Sequence, residues 1–170
     1  SSTDTIISFN GSLGPVTLQD ITNTFLLNSL NFQSGAATFQ LSGDSLDFAT
    51  NAGVTPAIVQ NSANGDLILN NITLNNNTTL SGTGTGGILF LGIISGGGSL
   101  TVTSGGNMSL LGNNNYSGGT TINGGTVVIN SSTSLGTGNL TFTSGTLIGG
   151  NATLTSHFTA TSSAVNFQAL

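Results

Sequence analysis

Lysine, arginine, glutamate, cysteine and tryptophan are all missing from this 170-residue chain, and each absence closes a class of function. Without Lys or Arg there is no basic patch, so a nucleic-acid backbone or an anionic membrane surface has nothing to bind. Ion pairs are limited to the single His157 and the amino terminus. Stability therefore has to come from backbone ladders, apolar burial and amide or hydroxyl hydrogen bonds. Trypsin finds no cleavage site. Without cysteine a disulfide frame and a thiolate metal site are both out, and one histidine is too few for a zinc centre. The longest apolar run, ILFLGII from Ile88 to Ile94, is too short to insert across a bilayer. No cofactor is expected.

What is present points to an ordered chain with an uncharged polar coat. Charged residues make up 3% of the sequence, against about a quarter in an ordinary soluble domain, while Gly, Ser, Thr and Asn supply most of the polar surface. Mean hydropathy is nonetheless +0.27, so neither the low hydrophobicity nor the high charge that produces disorder is there. The five acids, Asp4, Asp20, Asp44, Asp47 and Asp66, all fall in the first two-fifths of the chain. So low a surface charge favours association over repulsion. The opening SSTDT carries no basic and hydrophobic leader, which reads as a mature secreted protein or a segment of a longer one.

Short apolar blocks alternate with turn residues along the whole length. Leu30-Asn31-Phe32 and Thr38-Phe39-Gln40-Leu41 follow the two-residue period of a half-buried strand, and Asn10-Gly11, Ser34-Gly35 and Ser42-Gly43 are turn signals. No window shows a credible helical period; Leu18 to Leu30 is the nearest, and its asparagines favour strand or an irregular cap. From Asn64 onward the rhythm tightens, with strand-like blocks at 66–69, 71–74, 87–93, 99–102, 107–111, 119–122, 126–129, 139–142 and 152–155. Strands this short, with several corners per roughly twenty residues, favour a solenoid over a sandwich or barrel. The expectation is an all-β chain forming a single right-handed parallel β-helix. Residues 1–64 read as less regular N-terminal coils, suited to a cap or interaction segment, and residues 65–170 as regular coils of the same continuous domain. The runs Asn75–Asn77 and Asn113–Asn115 are expected at corners, with side-chain amides bonding from coil to coil. Asn113 to Asn130, NNNYSGGTTINGGTVVIN, reads as one such coil: strand, sharp corner, strand.

Residues 95–147, SGGGSLTVTSGGNMSLLGNNNYSGGTTINGGTVVINSSTSLGTGNLTFTSGTL, resemble the passenger-associated repeat of bacterial autotransporter proteins in both order and spacing. Leu27 to Phe48 more loosely resembles the segment that precedes such repeats. The resemblance implies a right-handed parallel β-helix, secreted and displayed at the bacterial cell surface.

Several short patterns invite a chemical reading. Gly43-Asp44-Ser45-Leu46 spells the GDSL signature of a family of esterases, but a serine hydroxyl needs a positioned base, and the residue three before His157 is Leu154 rather than an aspartate. Gly82 to Gly87 satisfies G-x-G-x-x-G, yet leads into the strand-like Ile88–Leu91 instead of the helix a phosphate cradle requires. Asp44 and Asp47 are candidates to contribute to a calcium site, but calcium-binding β-rolls use G-G-x-G-x-D repeats and the glycine-rich half of this chain contains no aspartate. His157 reads as a surface or corner residue. The best candidate for glycan contact is Tyr116 stacking on a sugar ring beside Asn114, against the competing reading that Tyr116 packs over a coil corner as the repeat's aromatic. The balance favours a non-enzymatic extracellular structural protein, a surface fibre or filament subunit that forms a homo-oligomer by end-to-end coil stacking or strand exchange. The alternative is an adhesin passenger module binding cell-surface glycans.

Overall fold

The computed structural model describes residues 5–11, 17–18, 25–103, 106–149, 158–160 and 166–169. Among them there is no helix, and every strand-to-strand pairing is parallel, as a β-solenoid requires. The chain visits three faces in turn. Its first coil contains β1 (Ile6–Phe9), β2 (Thr17–Leu18) and β3 (Phe25–Leu27); the second contains β4 (Ser29–Phe32), β5 (Gln40–Leu41) and β6 (Leu46–Phe48). The third has β7 (Ala57–Gln60), β8 (Asp66–Ile68) and β9 (Ile72–Leu74), and the fourth β10 (Thr78–Ser81), β11 (Ile88–Phe90) and β12 (Ile94–Gly96). Then come β13 (Leu100–Val102), β14 (Asn107–Leu110), β15 (Thr120–Ile129), β16 (Leu140–Gly149), β17 (Phe158–Ala160) and β18 (Asn166–Ala169).

Register shows how these stack. On the first face Ser29 lies beside Ala57, Ala57 beside Thr79, and Thr101, Thr121, Thr141 and Thr159 follow one coil at a time. These residues point outward. Their inward neighbours form the column Leu30, Ile58, Leu80, Val102, Ile122, Phe142, all buried. The second face carries the inward column Leu41, Ile68, Phe90, Leu110, Ile129, and the third Phe25, Leu46, Ile72, Ile94. The two-residue period decides which side chains go in, and register then stacks like on like. In the first coils the core is aromatic: the Phe9 ring lies 5.3 Å from Phe32 and 4.6 Å from Phe39. Pairing runs across the junction of residues 64 and 65 through β5–β8, β6–β9 and β7–β10.

Three local readings change. Asn113 to Asn130 does not contain two strands joined by a sharp corner, because β15 runs unbroken from Thr120 to Ile129. Its first half pairs with β13 and its second with β14, so one strand spans two faces. Asn123-Gly124-Gly125 is a bulge, with φ of 141° at Gly124 and 70° at Gly125 and a shifted register against β16; a bulge bends a strand without ending it. The ILFLGII run is likewise not one strand but β11, a corner and the start of β12, with Ile88, Phe90 and Ile94 inside and Leu89, Leu91 and Ile93 exposed. The stretch 152–155 and His157 lie outside the described residues.

Corner asparagines work differently from an amide ladder. Asn61 Oδ1 accepts from the Thr83 N–H at 3.1 Å, Asn71 from Ile93 at 3.0 Å, Asn76 from Thr50 at 2.9 Å and Asn77 from Ser99 at 3.1 Å. Each amide meets a main-chain donor of an adjoining coil. The reason is accounting: where the chain turns, a backbone N–H leaves the ladder and needs an acceptor.

Leu80 sits between Ile58 and Val102 in the buried column, so L80A removes three carbons from a packed stack. Urea unfolding should show a loss of about 2–5 kcal/mol, while the outward neighbour T79S stays within about 1 kcal/mol.

Candidate functional site

Residues 113–117 take the third-face position above β12. The Asn115 N–H donates to Ile94 O at 2.9 Å and the Ser117 N–H to Gly96 O at 3.0 Å, which continues the ladder and puts Asn113, Asn115 and Ser117 outside, Asn114 and Tyr116 inside. Asn114 spans three coils: its Oδ1 accepts from the Ile94 N–H below at 2.8 Å and its Nδ2 donates to Ser134 O above at 2.6 Å. The Tyr116 ring is 0% exposed. Thr120 Oγ1 donates to Leu135 O at 2.9 Å, which commits its proton, so the Tyr116 hydroxyl is the donor in its contact with Thr120 Oγ1. Burial pushes the Tyr116 phenol well above its ordinary value of 10, since the phenolate would lose its water.

This corrects the expectation of a glycan contact at Tyr116 and Asn114. Neither side chain offers a surface to a sugar, because the corner aromatic fills the coil and the amide closes its backbone. Gly136 shows how tight the fit is. It has φ of 72°, and a Cβ there would fall 2.8 Å from Cε2 of Tyr116.

The other sequence candidates are also held by the coils. Ser45 Oγ donates to Asp47 Oδ1 at 3.1 Å and lies 3.3 Å from Thr73 Oγ1; no histidine is among the described residues to activate it. Among the described residues Asp44 and Asp47 gather no third acid, and no group of three His, Cys, Asp or Glu side chains comes together. In the Gly82–Gly87 stretch, the N–H groups of Gly84 and Gly86 donate to Gln60 O and Ser62 O, both at 3.0 Å. A phosphate would need those same donors. A Cβ on Gly84 or Gly86 would fall about 2 Å from the underlying carbonyl oxygen, so these glycines serve the close approach of two coils. A shallow hollow among the early coils is lined by Thr5, Leu26, Leu27, Asn28, Ala49, Thr50 and Asn51. Asn28 Nδ2 is committed there to Val54 O at 2.9 Å.

One buried group escaped the sequence reading. Asp66, at the head of β8, is 0% exposed and accepts from the Phe39 N–H at 2.8 Å and from Gln60 Nε2 at 2.6 Å. Gln60 Oε1 in turn accepts from the Ser62 N–H at 2.9 Å, and Ser62 Oγ donates to Ala36 O at 3.0 Å. The available signal was the alternation Asp66-Leu67-Ile68, which places Asp66 on the same side as the buried Ile68. Desolvation raises the Asp66 carboxyl above 3.8, and the two hydrogen bonds offset part of that rise.

No protein family, curated protein or solved structure matches this chain.

Two measurements test these placements. A carboxyl whose folded-state pKa is raised stabilises the fold fully below its unfolded value, and that contribution is lost as pH rises through the folded value. Unfolding free energy should therefore fall as pH rises from below 3.8 towards neutrality, and D66N should remove that slope whatever it does to absolute stability. Tyr116 is the sole tyrosine, so alkaline titration followed in the ultraviolet should show no phenolate at pH 10, with ionisation arriving only together with unfolding.

Proposed function

We propose that this chain is a non-enzymatic structural subunit of an extracellular fibre, assembled end to end through its terminal coils. The observation that carries the reading is that the outermost described strands pair with the rest of the ladder on one side. Among the described strands β1, β2 and β3 pair on one side only, with β4, β5 and β6, and β17 and β18 pair only with β16. Unpaired parallel edges are templates for another strand. Proteins that stay monomeric blunt such edges with lysine or other inward charges, and this chain has no Lys or Arg at all. The resemblance of residues 95–147 to the passenger-associated repeat supports a bacterial cell-surface address. The adhesin alternative loses its aromatic platform with Tyr116 inside the coil, and the Ser45 hydroxyl donates to Asp47 as part of the coil's own hydrogen bonding.

Ile6 and Thr159 supply the test, since they are exposed at opposite ends of the same outward column. If copies stack in continuing register, Ile6 of one copy meets Thr159 of the next at ~4.8 Å. I6K combined with T159K should then abolish filaments in electron micrographs and leave single rods by sedimentation, while I6K with T159D should restore them. Wild-type protein that stays monomeric at high concentration would sink the reading.

A further inference from the structure

The second face carries an outward column unlike the threonines of the first. Leu67, Leu89, Ser109, Val128 and Ile148 lie side by side from β8 to β16. Leu69 and Leu91, two residues further along their coils, are 39% and 45% exposed. The leucines lie on a regular surface, because the pairings of β8 with β11 and β11 with β14 keep an unshifted register. From β8 to β16 the described outward positions of this face bear no charge: Asp66 is buried and turned inward, and no acid follows it in the sequence.

We infer that this face packs against the same face of a second copy of the chain, side by side. Two features select a copy over other partners. An uncharged face gains nothing from a charged partner and meets its own copy without repulsion. Its side chains also repeat at the rung spacing of ~4.8 Å, and only a surface with the same period interdigitates with it along the whole length, as in paired sheets that exclude water. Size decides when the contact forms. Five rungs by three residues make about 24 Å by about 10 Å, so two faces bury about 500 Å², below the roughly 1,000 Å² of a stable interface. One pair is therefore transient, and contacts become lasting only when several copies are stacked along the axis and act together. That cumulative form rests on the end-stacking reading; the face-to-face attraction does not.

The experiment separates the two. In the full chain carrying I6K and T159K, where ends are blocked, static light scattering at high concentration reads attraction between single rods. Attraction in this parent that turns to repulsion on adding L89N and L91N, but survives T79N and T101N on the threonine face, is the expected result. Equal attraction with and without L89N and L91N overturns the inference. So does a parent that repels itself yet floats with phosphatidylcholine vesicles and loses that on L89N and L91N, which assigns the face to lipid. With native ends, filaments should be paired in the wild type and single-rod in width with L89N and L91N. A native-ended chain without filaments defeats end stacking alone, and the scattering still decides the face.

Discussion

Each inner coil of this protein owes its ladder hydrogen bonds to the coils above and below it. A parallel strand cannot close a ladder with its own sequence neighbour, so the first long-range contact each segment makes is a whole turn away. That requirement explains the choice of residues better than hydrophobicity alone. Strands confined to one face are two to four residues long because a face is that narrow, and the inward positions hold mostly Leu, Ile, Val and Phe because they stack on the same positions one coil on. At corners the ladder is completed by the carboxamides of Asn61, Asn71, Asn76, Asn77 and Asn114, each accepting from a main-chain N–H of an adjoining coil. Where a side chain would hold two coils apart, as at Gly84 and Gly86, the residue is glycine.

With charge almost absent, the fold works without the long-range electrostatics that orient most domains. The consequence is visible in the one buried carboxylate. Asp66 is met by the Gln60 amide and the Phe39 N–H instead of by a cation, and burial, which those two hydrogen bonds only partly offset, makes its carboxyl resist ionisation. Tyr116 follows the same rule. Its buried hydroxyl is received by a neutral hydrogen-bond chain, through Thr120 to Leu135 O.

Much of this architecture was readable in advance. Alternation at Leu30-Asn31-Phe32 and the recurrence of short β-branched blocks carry the strand assignments, and the spacing of turn residues carries the solenoid. What escaped did so for identifiable reasons. In Ile88 to Ile94 the outward residues are as apolar as the inward ones, so the two-residue period vanished and a corner was hidden. Asn123-Gly124-Gly125 has the composition of a turn, and only the pairing of both halves of β15 shows that the strand bends through it. Tyr116 is a lone aromatic beside asparagines, a pattern equally suited to a sugar platform or a packed corner; its side is set by the ladder that Asn115 and Ser117 make with β12. Asp66 lay in an apparently ordinary strand, where its inward side chain is a matter of parity.

The interstrand hydrogen bonds run along the axis of the rod, and this gives the long strands β15 and β16 a mechanical meaning. Tension applied end to end loads the coil interfaces in series, so the rod is as strong as its weakest pair. β2 and β5 share two registered positions, whereas β15 and β16 are joined across two faces from Thr120 to Ile129. Within a single face, a two-position ladder such as β2–β5 resists such a load least, whereas at the β15–β16 junction two faces are held by one unbroken strand.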